Sequence, residues 1–151
     1  MLALSLWEPH ATAIAVRIKK YETRGWSLEA QHIGVPIAIH AAKKEFRERD
    51  VGFEYFKEAG ARLRAAGVPL SRLSYGRVVC IVTFTASLRT RAVRAYEPDL
   101  FWGDFRDVGD DGRERFAFKI ADVRDIPFEH RPAIVGRQKF FHVPDEIGLW
   151  G

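Results

Sequence analysis

Residues 2–26 read LALSLWEPHATAIAVRIKKYETRGW, and three changes of pattern within them decide the fold. Leu2–Leu6 is a short apolar run of strand length. Pro9 then stands where the first turn of a helix accepts proline. Ala11, Ile14, Ala15 and Ile18 recur at i, i+3, i+4 and i+7, the spacing of one buried helix face. Arg17, Lys19 and Lys20 crowd the expected last turn, where cations meet the negative end of the helix dipole. Residues 21–26 read as extended. Strand, helix and strand in so short a span predict a chain of mixed α and β structure.

Working outward, Val35-Pro36-Ile37-Ala38-Ile39-His40-Ala41 is a strand with Pro36 near its opening, where a missing N–H is tolerated. A helical stretch is expected over about 43–66, with Phe46, Phe53, Phe56, Gly60 and Leu63 on one stripe. Gly52 weakens its middle, so one helix or two is open, and Gly67 and Pro69 stop it. The strongest strand is 77–87, whose Val78-Val79-Cys80-Ile81-Val82-Thr83-Phe84 is rich in β-branched residues. Phe116, Phe118 and Ile120 alternate with smaller or polar neighbours as a half-buried strand does, after a turn over 107–114. Residues 138–143 make a last short strand. No repeat, low-complexity tract or linker divides the chain. The expectation is a single α+β domain over 1–151, a small closed or nearly closed β-barrel flanked by helices.

The residues are 47% hydrophobic and 29% charged, a balance that fits a packed globular chain and excludes disorder. The single cysteine, Cys80, rules out an internal disulfide and lies in the most apolar strand, where a buried, inert thiol is expected. No apolar run approaches the roughly 18 residues of a membrane helix, and the N-terminus has no basic, apolar leader pattern. A cytoplasmic location without a membrane partner is therefore expected. Net charge is +4, and all of it falls in residues 1–75, where 12 Lys and Arg face 8 Asp and Glu; residues 76–151 hold 12 of each. A basic half suggests an anionic partner, nucleic acid first; simple solubility is the alternative.

Lys19-Lys20-Tyr21-Glu22-Thr23-Arg24 places lysine, glutamate and arginine at relative positions 0, 3 and 5, where helix gives way to extended chain. Side chains alternate on a strand, so Glu22 and Arg24 share a face, and Lys19 can fold over it. Such a cluster can hold a phosphate or a base edge, or keep a lysine at a shifted pKa as general base. A surface salt bridge is the plainer alternative. Trp7, Tyr21, Trp26 and Trp102 lie near element ends, where rings can stack on bases or plug the core. His40-Ala41-Ala42-Lys43-Lys44 ends a strand and is expected to open a basic helix, with Lys43 kept there for a partner against the helix dipole.

The candidate catalytic residues are thus Lys19, Glu22 and Tyr21. Trp7, Arg24, Trp26, His40, Lys43 and Lys44 are the candidates for binding nucleic acid or substrate. Asp104, Asp107, Asp110, Asp111 and Glu114 lack the order of an EF-hand and read as a solvated loop. The five histidines show no ligand spacing. No metal ligands are assigned; a divalent metal stays open as a cofactor, and so does the oligomeric state.

Ser5-Leu6-Trp7-Glu8-Pro9-His10-Ala11, followed by Lys19-Lys20-Tyr21-Glu22-Thr23-Arg24-Gly25-Trp26, resembles the opening of the activating-signal-cointegrator homology (ASCH) domains, whose hallmark is Gly-x-Lys-x-x-Glu-x-Arg. Lys19, Glu22 and Arg24 match, and Arg17 stands in place of the glycine. Later pieces follow the order of bacterial and phage members: Ile37-Ala38-Ile39-His40-Ala41-Ala42-Lys43, Gly103-Asp104-Phe105, and Phe116-Ala117-Phe118 running into Val123-Arg124-Asp125-Ile126-Pro127. Gly136-Arg137-Gln138-Lys139-Phe140-Phe141 is similar to the closing Gly-Gln-Gly-Leu-Trp segment. The resemblance spans nearly the whole chain, closely at the two N-terminal motifs and loosely after residue 45. It implies a PUA-like fold, a small β-barrel with helices beside it and a cleft lined by the Lys/Glu/Arg motif.

The resemblance also implies RNA. Some members of the family are coactivator-linked, some are reported ribonucleases, and a small group hydrolyses N4-acetylcytidine. The expected function is RNA or nucleotide binding in a cleft of Lys19, Glu22, Arg24 and Lys43, with ribonuclease activity on single-stranded RNA. Lys19 would act as base, Arg24 as the cation for developing charge and Tyr21 as proton donor. Lys19→Ala is expected to abolish cleavage with the fold intact. The alternative is an amidohydrolase deacylating N4-acetylcytidine-type nucleosides. For it the family's lysine falls on Lys19 and its threonine on Glu22, with Thr23 next door and Glu97 the candidate later glutamate. The third reading is a non-catalytic module that binds RNA or protein.

Overall fold

Two apolar segments far apart in sequence lie side by side: β1 (Leu2–Leu6) and β3 (Ile37–Ala41) pair in parallel, with Leu4 opposite Ile39 and Ser5 opposite His40. β6 (Phe140–His142) joins the other edge of β1 in the antiparallel sense. These contacts come from a computed structural model that describes residues 1–149. The remaining strands are β2 (Tyr21–Arg24), β4 (Arg77–Arg89) and β5 (Phe116–Asp125), and the six form a mixed sheet in the order β2-β5-β4-β3-β1-β6. The helices are α1 (His10–Ala15), α2 (Glu48–Val51), α3 (Phe53–Ala65) and α4 (Thr90–Arg94). The architecture is α+β. The contacts group the chain into two units, Met1–Ile18 with Ile37–Ile81 and Val123 onward, and Lys19–Pro36 with Val82–Asp122; β4 and β5 run from one into the other.

The first unit is cored by Ala3, Ala38, Val78, Ile81, Ile126, Phe141, Val143 and Ile147. Cys80 is fully buried, and that burial pushes its thiol pKa up, so it stays protonated. Glu8, 4% exposed, ties α1 to the segment before β4. Its carboxylate accepts from the Thr12 N–H (2.8 Å), the Thr12 hydroxyl (2.6 Å) and the Ser74 N–H (3.0 Å). The buried Arg131 donates to the Ile126 carbonyl, the Ser74 hydroxyl and Asp125. A buried carboxylate and a buried guanidinium are each surrounded by partners, as the cost of desolvation demands.

In the second unit β2 pairs antiparallel with β5, Glu22 opposite Phe118. Tyr21, Val93, Phe105 and Ala117 form its core, and Phe118 meets the edges of Trp26 (5.3 Å) and Phe84 (5.4 Å).

Two helical expectations are corrected. α1 ends at Ala15, because Arg17 adopts φ +65°, a left-handed conformation that ends an α-helix. Lys19 and Lys20 therefore lie beyond it, outside the last turn where the helix dipole was expected to hold them. Residues 43–47 are not helical either. The helical stretch begins at Glu48 and is divided by Gly52, whose φ of +88° separates α2 from α3. Lys43 thus follows β3 in irregular chain, and the helix-dipole argument for it falls away. On the expected stripe Gly60 and Leu63 are buried, whereas Phe53 is 57% exposed.

Candidate functional site

Within the second unit, the short β2 strand holds the Lys/Glu/Arg motif by its alternation. Glu22 and Arg24 do share a face: Arg24 Nε donates to Glu22 Oε2 at 2.9 Å. Lys19, just before the strand, folds back so that Nζ lies 3.1 Å from Glu22 Oε1 and donates to the Trp102 carbonyl. Lys19 is 2% and Glu22 5% exposed, whereas Arg24 is half-buried. This is no surface salt bridge. Burial pulls the Lys19 pKa below the ordinary lysine value; the Glu22 carboxylate pulls it back up, and Arg24 and Arg115 push it down again. The arrangement is a buried proton-carrying pair with an arginine at its more exposed end, 5.9 Å from the Trp26 ring.

The neighbouring residues are engaged as well. Tyr21 is buried, its hydroxyl 3.1 Å from that of Tyr96; burial and that contact raise its pKa, so it stays a neutral phenol. Glu97 adds its negative charge to the same effect on Tyr21. The Thr23 hydroxyl accepts from the Asp104 N–H at 3.1 Å and packs against Gly103. Arg115 donates to the Asp104 carbonyl and pairs with its carboxylate at 3.3 Å. The acidic loop is neutralised by arginine, since Arg106 bridges Asp104 and Asp110.

The first unit carries the other candidates. Trp7 is 61% exposed, and Lys44 Nζ lies 3.8 Å from its ring centroid, a cation–π pair at the surface. Lys43 is exposed and lies across Gly76. His40 is 1% exposed: Nε2 donates to the Ile134 carbonyl at 2.7 Å, and Nδ1 lies 2.9 Å from the Ser5 hydroxyl. Burial lowers the His40 pKa. Among the described residues no three His, Cys, Asp or Glu side chains stand together as a metal site requires.

No family model matches the chain, and no curated protein sequence matches it. Solved structures do. The chain is similar to a serine-to-alanine variant of the ASCH protein from Zymomonas mobilis, at 16% identity and TM-score 0.59, over 98% of this chain and 91% of that one. A tyrosine-to-phenylalanine variant matches at 15% and 0.56, over 98% and 93%, and the ASCH protein itself at 14% and 0.51, over 98% and 90%. The fold is that of an ASCH domain. At such low identity the likeness concerns the fold. Within this ASCH fold, Arg17, which stands where the hallmark has glycine, takes the left-handed conformation that glycine adopts freely.

Lys19, Glu22 and Arg24 come together as their spacing predicts, and Trp26 joins them. Trp7 and Lys44 meet, though nothing in the sequence pairs them. What sequence reading missed are the partners: the Trp102 carbonyl under Lys19, Arg115 beside Thr23, and Ser5 beside His40. A backbone carbonyl carries no sequence signal. Ser5 and His40 become neighbours only through the parallel pairing of β1 and β3.

Proposed function

We propose that the chain binds single-stranded RNA or nucleotides. The observation that carries this reading is Trp7, 61% exposed with the Lys44 ammonium 3.8 Å over its ring and Lys43 next in sequence. An exposed indole offers a stacking face to any base, and the two lysines supply charge for the phosphate beside it. The basic first half and the resemblance of the motifs to RNA-associated ASCH domains support it. In the finer form of the proposal the domain is a ribonuclease. In that form Lys19 is the base for the 2′-hydroxyl proton, Arg24 steadies the developing phosphorane charge and the neutral Tyr21 phenol donates to the leaving oxygen. Because Lys19 and Tyr21 are buried, the reaction requires the cluster to open at Arg24, its more exposed end.

The second reading, deacylation of an N4-acetylcytidine-type nucleoside, draws on the same Lys19–Glu22 pair. The Thr23 hydroxyl is engaged by the Asp104 N–H. A water molecule is therefore the better nucleophile in that reading.

The test is binding of a fluorescein-labelled oligouridine, read by anisotropy at low and moderate salt. Affinity is expected to fall steeply with salt as counterions are released. Trp7→Ala should weaken it by about 10-fold, within the roughly 1–3 kcal/mol of one base–aromatic stack. Undiminished binding by folded Trp7→Ala and Lys44→Ala variants would overturn the reading. Parallel incubations with the RNA and with N4-acetylcytidine, comparing wild type with Arg24→Ala, separate the two chemistries: shortened RNA supports the ribonuclease, and cytidine supports the amidohydrolase.

A further inference from the structure

His40 and Ser5 face each other across the parallel β1–β3 pair, one residue before the end of each strand. The Ile134 carbonyl can only accept, so His40 Nε2 carries the proton in the 2.7 Å bond between them. In the neutral ring Nδ1 is then an acceptor, and the Ser5 hydroxyl at 2.9 Å donates to it. Serine, histidine base and a third group that fixes the tautomer are the three parts of an activated nucleophile. Phe141 meets the imidazole edge-on at 5.9 Å and holds the ring plane.

Gly136 completes the frame. A Cβ there would lie 2.6 Å from His40 Cε1, 2.8 Å from Nδ1 and 3.1 Å from Ser5 Oγ, so only glycine lets this segment lie against the pair undisturbed. His40 is buried, whereas Ser5 is half-buried. The ends of parallel strands are also where α/β sheets commonly place ligands.

We infer that Ser5 and His40 form a nucleophile–base pair that hydrolyses small carboxylic esters, an activity independent of RNA binding. Ser5 Oγ bonds to the acyl carbon while its proton passes to His40 Nδ1. The ester C–O bond breaks, and the departing alcohol takes that proton. Water then attacks the acyl-serine, giving a proton to Nδ1, which returns it to Ser5 Oγ as the carboxylic acid leaves.

The test treats the whole chain with a fluorophosphonate, which bonds to a nucleophilic serine with loss of fluoride, and separately with p-nitrophenyl acetate. A single adduct mapping to Ser5 is expected, absent in a Ser5→Ala variant of unchanged melting temperature. His40→Gln should slow labelling at least ~100-fold, the low end of what a general base contributes. Should that variant not fold, Gly136→Ala serves in its place: it presses a methyl group on the pair and should slow labelling without removing either group. No adduct, an adduct at another residue, or ester turnover equal in Ser5→Ala and wild type would overturn the proposal.

Discussion

Glu8 in the first unit and Glu22 in the second are both buried carboxylates, 4% and 5% exposed, yet Glu8 is held by N–H and O–H donors and Glu22 by two cations. Around Glu8, the Thr12 and Ser74 donors fasten α1 to the chain before β4. Desolvation outweighs those hydrogen bonds, and the Glu8 pKa is raised. Around Glu22, the charge is shared between fully buried Lys19 and half-buried Arg24, so the cluster reaches from the interior toward solvent. A carboxylate satisfied by neutral donors fastens two segments. A carboxylate placed between cations links a buried charge to one nearer the surface.

The largest effect that would break this comparison is at Lys19. Lys19→Met leaves Glu22 buried without its inner cation and should cost about 3–5 kcal/mol of stability, measured by urea denaturation. Adding Glu22→Leu should restore a large part of that loss. If Lys19→Met costs nothing, the cluster is not the buried network described. The same burial revises the expectation for Lys19→Ala: lost cleavage is informative only in a variant shown to be folded.

A smaller effect is expected at Glu8. Glu8→Gln keeps the shape but exchanges one acceptor oxygen for a donor, at a cost of about 1–2 kcal/mol in the same measurement. A cost equal to that of Lys19→Met would erase the distinction between the two carboxylates.

The dependence on pH sharpens it further, because the signs differ. With its folded pKa raised above the ordinary 4.5, Glu8 keeps a proton in the folded chain that the unfolded chain has released. Its contribution is fully present below 4.5 and is lost as pH rises through the folded pKa. Lys19 is lowered from 10.5, so the unfolded chain holds the extra proton, and stability rises as pH climbs from the folded pKa toward 10.5. Denaturation midpoints across that range should show the acid-side fall vanish in Glu8→Gln and the alkaline-side rise vanish in Lys19→Met. Profiles parallel to wild type in both variants would contradict the assignments.

Much of this was legible in the sequence. The apolar runs at 2–6, 35–41 and 77–87 became β1, β3 and β4, β3 opening only at Ile37, because strand formation there needs only local pattern and burial. The alternation of Glu22 and Arg24 became an ion pair in the fold, because strand geometry fixes which side chains share a face. Helix ends were less legible. The periodicity at 11–18 continued past the point where Arg17 turns left-handed, and the basic run at 43–44 resembled a helix start without being one.

The sequence by itself determined the strands, Gly52 as the weak point of the helical stretch, the basic first half and the Lys–Glu–Arg spacing, since each depends on residues within a few positions of one another. Only the tertiary structure decided that Lys19 is buried on the Trp102 carbonyl, that Glu8 reaches Ser74, and that Ser5 faces His40. Those contacts join residues from 35 to 83 positions apart. The first two join loop segments and the last follows from the β1–β3 register; all three are set by long-range packing, which no local pattern records.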